Sequence, residues 1–151
     1  MIMKKILTSV FLVILLFSIT GCNSLAGKVK FHNMYYDKLK DVVETKTDRG
    51  TFESGMEWDN VRYKLDNMII TITCYQKSSF DFYDSNEDLS DIKINKVDYR
   101  YMETEISGYA LSHYYTQIGK DTYYISITYK KNDKTDKIVQ EFLKSIVVSE
   151  K

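Results

Sequence analysis

The alternation of apolar and polar residues is clearest from Asp59 to Gln76, and it predicts a β-hairpin there. Asp66 and Asn67 stand at its centre as a two-residue turn, because both residue types tolerate the left-handed backbone that a tight hairpin needs. A register shifted by one residue would scatter the apolar side chains over both faces. With the turn in this place, three apolar pairs share one face: Val61 with Ile72, Tyr63 with Ile70, and Leu65 with Met68.

A second hairpin is predicted around Gly119, because glycine adopts a positive φ without strain. The turn Ile118–Asp121 joins a strand over Tyr109–Gln117 to a strand over Thr122–Lys131. One face of this hairpin is then formed by Ala110, Ser112, Tyr114, Tyr123, Ile125, Ile127 and Tyr129. The opposite face carries Tyr109, His113, Tyr115 and Tyr124. Between the hairpins, a further strand is predicted from the alternation of Val97, Tyr99 and Tyr101.

Helical spacing of apolar residues replaces alternation at both ends of the domain. At the C-terminal end a clear apolar stripe is formed by Ile138, Val139, Phe142, Leu143, Ile146 and Val147. The first turn of this helix carries side-chain oxygens that can accept free N–H groups, from Asp133, Thr135 and Asp136. A second helix is predicted over Tyr35–Glu44, from the spacing of Tyr35, Leu39, Val42 and Val43. Apolar stripes must be buried, and a sheet face is available to cover them.

The most hydrophobic segment precedes all of these elements. Lys4 and Lys5 are followed by an apolar run over Ile6–Ile19, which is shorter than the roughly 20 residues that a membrane-spanning helix needs. It has the features of a secretory signal. Ile19–Cys22 (ITGC) resembles the lipobox of a bacterial lipoprotein. This resemblance implies cleavage after Gly21 and attachment of a diacylglycerol to the Cys22 thiol, whose two acyl chains would hold the protein on the membrane.

Removal of residues 1–21 would leave a chain of one domain's size, with a polar tether over 22–33 and a single domain over 34–151. Lys and Arg balance Asp and Glu, at 21 each in the whole chain, which argues against nucleic acid as a partner. If Cys22 carries lipid, Cys74 has no cysteine left to pair with.

The order of elements from about Trp58 to Val147 resembles the PsbP-like fold, named after an extrinsic protein of the photosystem. The resemblance lies in the sequence of the segments VRYKLDNMIITI, an acidic loop, INKVDYRY, HYYTQIGKDTYYISITY and IVQEFLKSI. It implies an antiparallel sheet with helices packed on it, and a role in binding or assisting other proteins. We therefore expect an α+β domain: an antiparallel sheet of about five to six strands, with the C-terminal amphipathic helix and the N-terminal helix packed on it.

Motifs for catalysis or for a cofactor are not found: the sequence has no Gly-x-Ser-x-Gly, no glycine-rich phosphate loop and no His-Glu-x-x-His. His32 lies near the tether, and His113 is expected to be a strand histidine. Cys74 shares strand parity with Ile70 and Ile72, which predicts a buried and inert thiol. An acidic loop contains Asp81, Asp84, Glu87, Asp88 and Asp91, but its spacing matches no calcium loop, and Ser85 with Asp88 better fits a helix cap.

The tyrosines remain as candidates for binding, because tyrosine combines a flat apolar ring with a hydroxyl group. Alternation assigns most of them to the core of the sheet, which leaves Tyr109, His113, Tyr115 and Tyr124 as the candidate binding residues. If a helix covers the face that carries them, these tyrosines belong to the core as well, and this is the interpretation that we prefer. We expect a non-catalytic, lipid-anchored module on the extracytoplasmic face of the cell membrane, which binds another envelope protein. Two alternatives stay open: a cell-wall enzyme with a dispersed site around His113, and a small-ligand carrier with an aromatic pocket.

Overall fold

A computed structural model describes residues 25–77 and 88–149 of the chain. In sequence order its strands are β1 (Lys28–Phe31), β2 (Met34–Asp37), β3 (Glu44–Thr51), β4 (Glu57–Leu65), β5 (Met68–Tyr75), β6 (Ser90–Ile94), β7 (Val97–Ile106), β8 (Tyr109–Ile118), β9 (Asp121–Lys130) and β10 (Val147–Val148). One helix, α1 (Asp133–Ser145), lies between β9 and β10. The fold of the described residues is therefore mostly antiparallel sheet with one C-terminal helix.

Seven of the strands form one large antiparallel sheet in the order β3-β4-β5-β9-β8-β7-β6. A small sheet in the order β1-β2-β10 joins both ends of the domain, because β2 pairs with β1 and also with β10. The small sheet and α1 share one hydrophobic core with one face of the large sheet, which we call the inner face. We call the other face of the large sheet the open face.

Both predicted hairpins are confirmed in their register. Val61 faces Ile72, Tyr63 faces Ile70 and Leu65 faces Met68 across β4 and β5. Across β8 and β9, Ile118 faces Asp121, and Gly119 has a φ of 60°. The turn between β4 and β5 forms at Asp66 and Asn67, but neither residue has a positive φ, so it needs no left-handed backbone. Burial of one face therefore fixes the register of each hairpin.

Two parts of the predicted architecture are wrong. The large sheet has seven strands rather than five or six, and a second sheet accompanies it. The helix expected over Tyr35–Glu44 is absent: its first residues belong to β2 and its last residue opens β3. Asp41 between them has a φ of 57°, which no right-handed helix accommodates, and Val43 is 71% exposed rather than buried.

The predicted tether over 22–33 contains β1, whose Val29 and Phe31 pack against the core. The folded domain therefore begins at Lys28 rather than at residue 34, and Cys22 lies outside the described residues. No helix in the described part of the chain is long and apolar enough to cross a membrane.

The C-terminal helix forms over most of the predicted apolar stripe, and its Val139, Phe142 and Leu143 are buried. The end of the prediction is wrong, because Ile146 is the extended C-cap of the helix and Val147 belongs to β10. Its N-cap is Asn132, one residue before the acidic turn that the sequence suggested. The Asn132 side chain accepts hydrogen bonds from the backbone N–H groups of Lys134 and Thr135, each at 3.1 Å. In return, the Thr135 hydroxyl accepts a hydrogen bond from the Asn132 N–H, which completes a capping box.

Candidate functional site

Three of the four predicted binding residues meet at the centre of the open face. Tyr115 and Tyr124 face each other across β8 and β9, and their rings stack at 4.7 Å between centroids. The ring of His113 is also stacked with that of Tyr124, at 5.7 Å between centroids and an interplanar angle of 8°. His113 Nδ1 also lies 2.5 Å from the Tyr124 hydroxyl. The three side chains form a half-buried aromatic stack that parity along the strands brings together.

Burial lowers the pKa of His113, so its imidazole is neutral at neutral pH. A neutral imidazole can exchange protons with a neighbouring hydroxyl, and Nδ1 is already directed to Tyr124. An enzyme with its site at His113 requires a cleft beside the ring. His113 lines none of the three clefts described below.

Tyr109 lies apart from the stack, at the end of the open face nearest the turn between β7 and β8. It pairs directly with Ile106, and these two side chains are 51% and 67% exposed. Leu111 is half-buried on the same face. Ile69, which is 39% exposed, lies two strands away in β5, and Thr128 of β9 lies between the two. We call Ile69, Ile106, Tyr109 and Leu111 the apolar end of the open face.

Cations flank the apolar end of the open face. Lys130 pairs with Tyr109 across β8 and β9, and Lys64 pairs with Ile69 across β4 and β5. Side chains that pair directly across an antiparallel sheet lie on the same face. The two positions paired with Tyr109 and Ile69 thus carry ammonium groups rather than carboxylates.

A polar cluster that sequence reasoning missed lies on the inner face, around Glu103. Its Oε2 accepts hydrogen bonds from the Ser112 hydroxyl at 2.8 Å and from the Tyr101 hydroxyl at 3.0 Å. Lys131 Nζ lies 3.2 Å from Oε1. Burial acts to raise the pKa of Glu103, but these hydrogen bonds and the charge of Lys131 outweigh it and lower the pKa. Glu103 has the same parity along β7 as Tyr99 and Tyr101. A carboxylate on the same strand face as these tyrosines was the sequence signal that could have indicated this site.

The Glu103 cluster opens into a cleft of about 540 Å³ between α1 and the strands β6–β9. Tyrosines form much of its wall: Tyr101 and Tyr114 lie with ring centroids 4.9 Å apart, and Tyr129 is beside them. Burial raises the pKa of Tyr114 to about 12, so its hydroxyl stays protonated. Polar side chains from α1 complete the lining, among them Gln140 and Lys144. We call this space the Glu103 cleft.

A neighbouring cleft of about 590 Å³ lies along β6 and β7 and includes the ring of Tyr99. The Tyr99 hydroxyl is buried and has no hydrogen-bond partner among the residues that the structure describes. A third cleft, of about 640 Å³, runs between residues 37–41 and the first half of α1. It is bordered by Phe142 and Met68 and is open to solvent along exposed lysines, including Lys38 and Lys134.

Cys74 is fully buried, as predicted, and burial raises the pKa of its thiol to about 12. It is therefore protonated and inert at neutral pH. His32 is better held than its position near the tether suggested, because its Nε2 lies 2.9 Å from Asp59 Oδ2. Gln76 donates a second hydrogen bond to the same oxygen, at 3.0 Å. His32, Asp59 and Gln76 thus form a local polar network that joins the segment after β1 to β4.

The acidic loop lies largely in residues 78–87, and its Asp81, Asp84, Ser85 and Glu87 fall outside the described residues, so its suggested helix cap stays a prediction. Of its other members, Asp91 belongs to β6, where it lies 3.1 Å from Arg100 Nε. Within the ranges 25–77 and 88–149, no group of three metal-ligating side chains converges.

Comparison with known proteins informs the fold and not the function. No family model matches the chain, and no curated protein matches it. A protein from Bacteroides thetaiotaomicron, whose crystal structure was determined at 1.50 Å resolution, has a similar fold, with a TM-score of 0.51 and 14% sequence identity. The similarity covers 78% of this chain and 45% of the other, so this chain spans about half the length of that protein. At this identity the likeness shows the fold alone.

Proposed function

We propose that this protein is a lipid-anchored binding module on the extracytoplasmic face of a bacterial cell membrane, and that it binds another envelope protein without catalysis. The apolar end of the open face carries this proposal. Ile106 and Tyr109 are paired with each other and more than half exposed, which is costly for a surface that nothing covers. Aromatic and aliphatic side chains grouped in this way are typical of the centre of a protein interface.

The charges at the rim indicate the chemistry of the partner. Lys64 and Lys130 lie beside the apolar end of the open face. A complementary partner presents an apolar surface flanked by Asp or Glu, because rim charges of opposite sign speed association and favour the correct orientation. The PsbP-like resemblance of the sequence points in the same direction, toward binding rather than catalysis.

The anchor is tested separately from the partner. We expect Cys22→Ser to abolish lipidation, and mass spectrometry of the processed protein to show the parent chain beginning at a diacylated Cys22. Because β1 starts at Lys28, the connection from Cys22 is only a few residues long. This connection would hold the domain within about 20 Å of the membrane surface. An unmodified Cys22, or cleavage at another position, would contradict the lipoprotein assignment.

The partner is tested by photo-crosslinking in intact cells. A benzophenone side chain at position 109 should give a discrete adduct with another protein, and Ile106→Glu should abolish that adduct. The matched control is the same probe at Lys120, an exposed residue at the opposite end of the β8–β9 hairpin. Adducts that are equal at both positions, or none at position 109, would overturn the binding proposal while leaving the anchor untouched.

A small-ligand carrier is the second candidate, and the Glu103 cleft favours it. The cleft has the volume of a typical small-molecule site, is lined by tyrosines and contains a preorganised carboxylate. Native mass spectrometry of the protein purified from its own membranes checks this alternative. A co-purified small molecule that is lost in Glu103→Gln but kept in Tyr109→Ala would support the carrier and would place the site away from the open face.

A further inference from the structure

β3 forms one edge of the large sheet, and its sequence, ETKTDRGT, is unusual for a strand at such a position. Seven of its eight residues are exposed, so neither of its faces is covered. Just after β3, Phe52 donates its backbone N–H to the carbonyl of Met56. In an antiparallel pair, every second residue is hydrogen-bonded to the partner strand, so the even-numbered residues of β3 are the ones bonded to β4. The N–H and C=O groups of Thr45, Thr47, Arg49 and Thr51 therefore point away from the sheet.

An exposed edge of this kind can pair with another strand. In the part of the chain that the structure describes, β4 is the only strand paired with β3. The Asp48 side chain accepts a hydrogen bond from the Arg49 N–H at 2.9 Å. Among the described residues, no side chain accepts a hydrogen bond from the other outward N–H groups of β3. The edge is thus open over most of its length.

The charges of β3 and the length of the overlap together favour one way for it to pair with itself. A register centred on Thr45 would also pair opposite charges, Glu44 with Lys46, but only three residues of each β3 would then overlap. A two-fold axis perpendicular to the sheet joins two antiparallel copies so that residues of the same face oppose each other. Registers centred on Lys46, Asp48 or Arg49 put a charge opposite its own copy, which is destabilising. The register centred on Thr47 instead places Lys46 of each copy opposite Asp48 of the other, and it does so twice.

The backbone agrees with this register. Thr47 opposite Thr47 is then a hydrogen-bonded pair, because the outward groups belong to the odd-numbered residues. Lys46 and Asp48 form a non-hydrogen-bonded pair, in which the Cα atoms are only about 4.5 Å apart and the side chains are closest. The ammonium group that now lies 3.0 Å from Glu44 of its own strand can reach the carboxylate across the new interface.

We propose that β3 pairs with β3 of a second copy of this chain, centred on Thr47, so that two large sheets become one continuous sheet. The two inner faces then lie on the same side of the continuous sheet. The two small sheets, which contain the first strand of each chain, lie on that side as well. Two N-terminal segments on one side are compatible with attachment to one membrane, although edge pairing does not depend on the anchor. Both open faces remain accessible on the other side.

Cysteine cross-linking of the full chain in intact cells tests this register. In Thr47→Cys, the two thiols come from residues whose Cα atoms are about 5.5 Å apart, within the range of a disulfide. Thr45→Cys is the matched control on the same face of the same strand. Its own copy is displaced by four residues, or about 13 Å along the strand, which no disulfide spans. Because Cys74 is buried, the unmodified chain gives the background.

After mild oxidation, we expect a covalent dimer that is several-fold more abundant for Thr47→Cys than for Thr45→Cys. In the Thr47→Cys background, Lys46→Asp or Asp48→Lys alone should lose most of this dimer, because each creates like-charge pairs. The double exchange should restore it, which a merely misfolded variant would not show. Equal cross-linking at positions 45 and 47, no dimer at position 47, or single exchanges that leave the dimer unchanged would each overturn the proposal.

Discussion

Replacement of Phe142 by alanine tests how firmly α1 and the small sheet are attached to the large sheet. The Phe142 side chain is 3% exposed, and its ring packs edge-to-face against Tyr36 of β2 with 5.6 Å between centroids. Removal of a buried phenylalanine costs about 3–5 kcal/mol, which includes the aromatic pair. Because Phe142 also borders the open cleft of about 640 Å³, water and neighbouring side chains can enter the space. We therefore expect a loss near the lower end, about 3 kcal/mol.

Urea unfolding followed by the fluorescence of Trp58, the single tryptophan, measures this loss. A domain of this size has a stability of about 5–15 kcal/mol, so the variant should still fold. Gln140→Ala, at an exposed position two residues earlier in α1, is the matched control and should stay within about 0.5 kcal/mol of the parent. A loss below about 1 kcal/mol for Phe142→Ala, with an unchanged dependence on urea, would refute the docked arrangement of α1 and β2.

Three further predictions concern the polar groups and the sheet edge. Glu103→Gln should lower the free energy of unfolding by about 1–3 kcal/mol at neutral pH. Because the pKa of Glu103 is lowered in the folded state, this difference from the parent should shrink as the pH falls below about 4.3. A difference that urea unfolding finds to be constant with pH would contradict this prediction. The pKa of His113 is also lowered in the folded state, so the parent should lose stability as the pH falls below about 6.5. His113→Gln should lack this part of the pH dependence of the free energy of unfolding, measured with urea. Identical pH profiles for the two proteins would show that the imidazole titrates as it does in the unfolded chain. A Cβ atom on Gly50 would lie 2.8 Å from the Trp58 ring, so Gly50→Ala should cost about 1–3 kcal/mol and shift the Trp58 emission, whereas unchanged emission would mean that the ring does not cover Gly50.

The long hairpins could be predicted because one face of each is buried. Alternation from Val61 to Ile72 is tied to burial against the core, and a slip of one residue would expose the whole apolar set. β3 gave no such signal. Its eight residues contain no large apolar side chain and its faces are solvated, so backbone hydrogen bonds to β4 hold it rather than burial. Hydrophobic patterning cannot detect a strand of that kind.

The erroneous N-terminal helix has a different cause. Helical spacing is shared by Tyr35, Leu39, Val42 and Val43, but it arises by chance. Only the first of these residues lies in β2, and the other three lie beyond that strand. The segment then turns at Asp41, and Val43 ends in solvent. A stripe of four apolar residues without caps at its ends is too short a pattern to distinguish a helix from a strand followed by a loop.

The candidate site was predictable only where parity alone decides. Alternation along β8 and β9 brings His113, Tyr115 and Tyr124 onto one face, and the structure stacks their rings. The Glu103 cluster depends on Ser112 and on Lys131 beyond the end of β9, which are distant in sequence. The strand pairing that joins these residues had to be known first, since a charged residue in a strand is ordinarily assigned to solvent.

The pairing of β2 with β10 has a consequence for the order of events during synthesis. Met34 and Tyr35 are among the first described residues to leave the ribosome, but their partners Val148 and Val147 follow more than a hundred residues later. β2 can form a pair with β1 early, yet its other edge stays unpaired until translation has passed Val148. The small sheet therefore cannot be completed before Val148 has been synthesised. Under the export that we propose for this chain, the unpaired edge of β2 would favour passage through a translocation channel, because such a channel takes unfolded polypeptide.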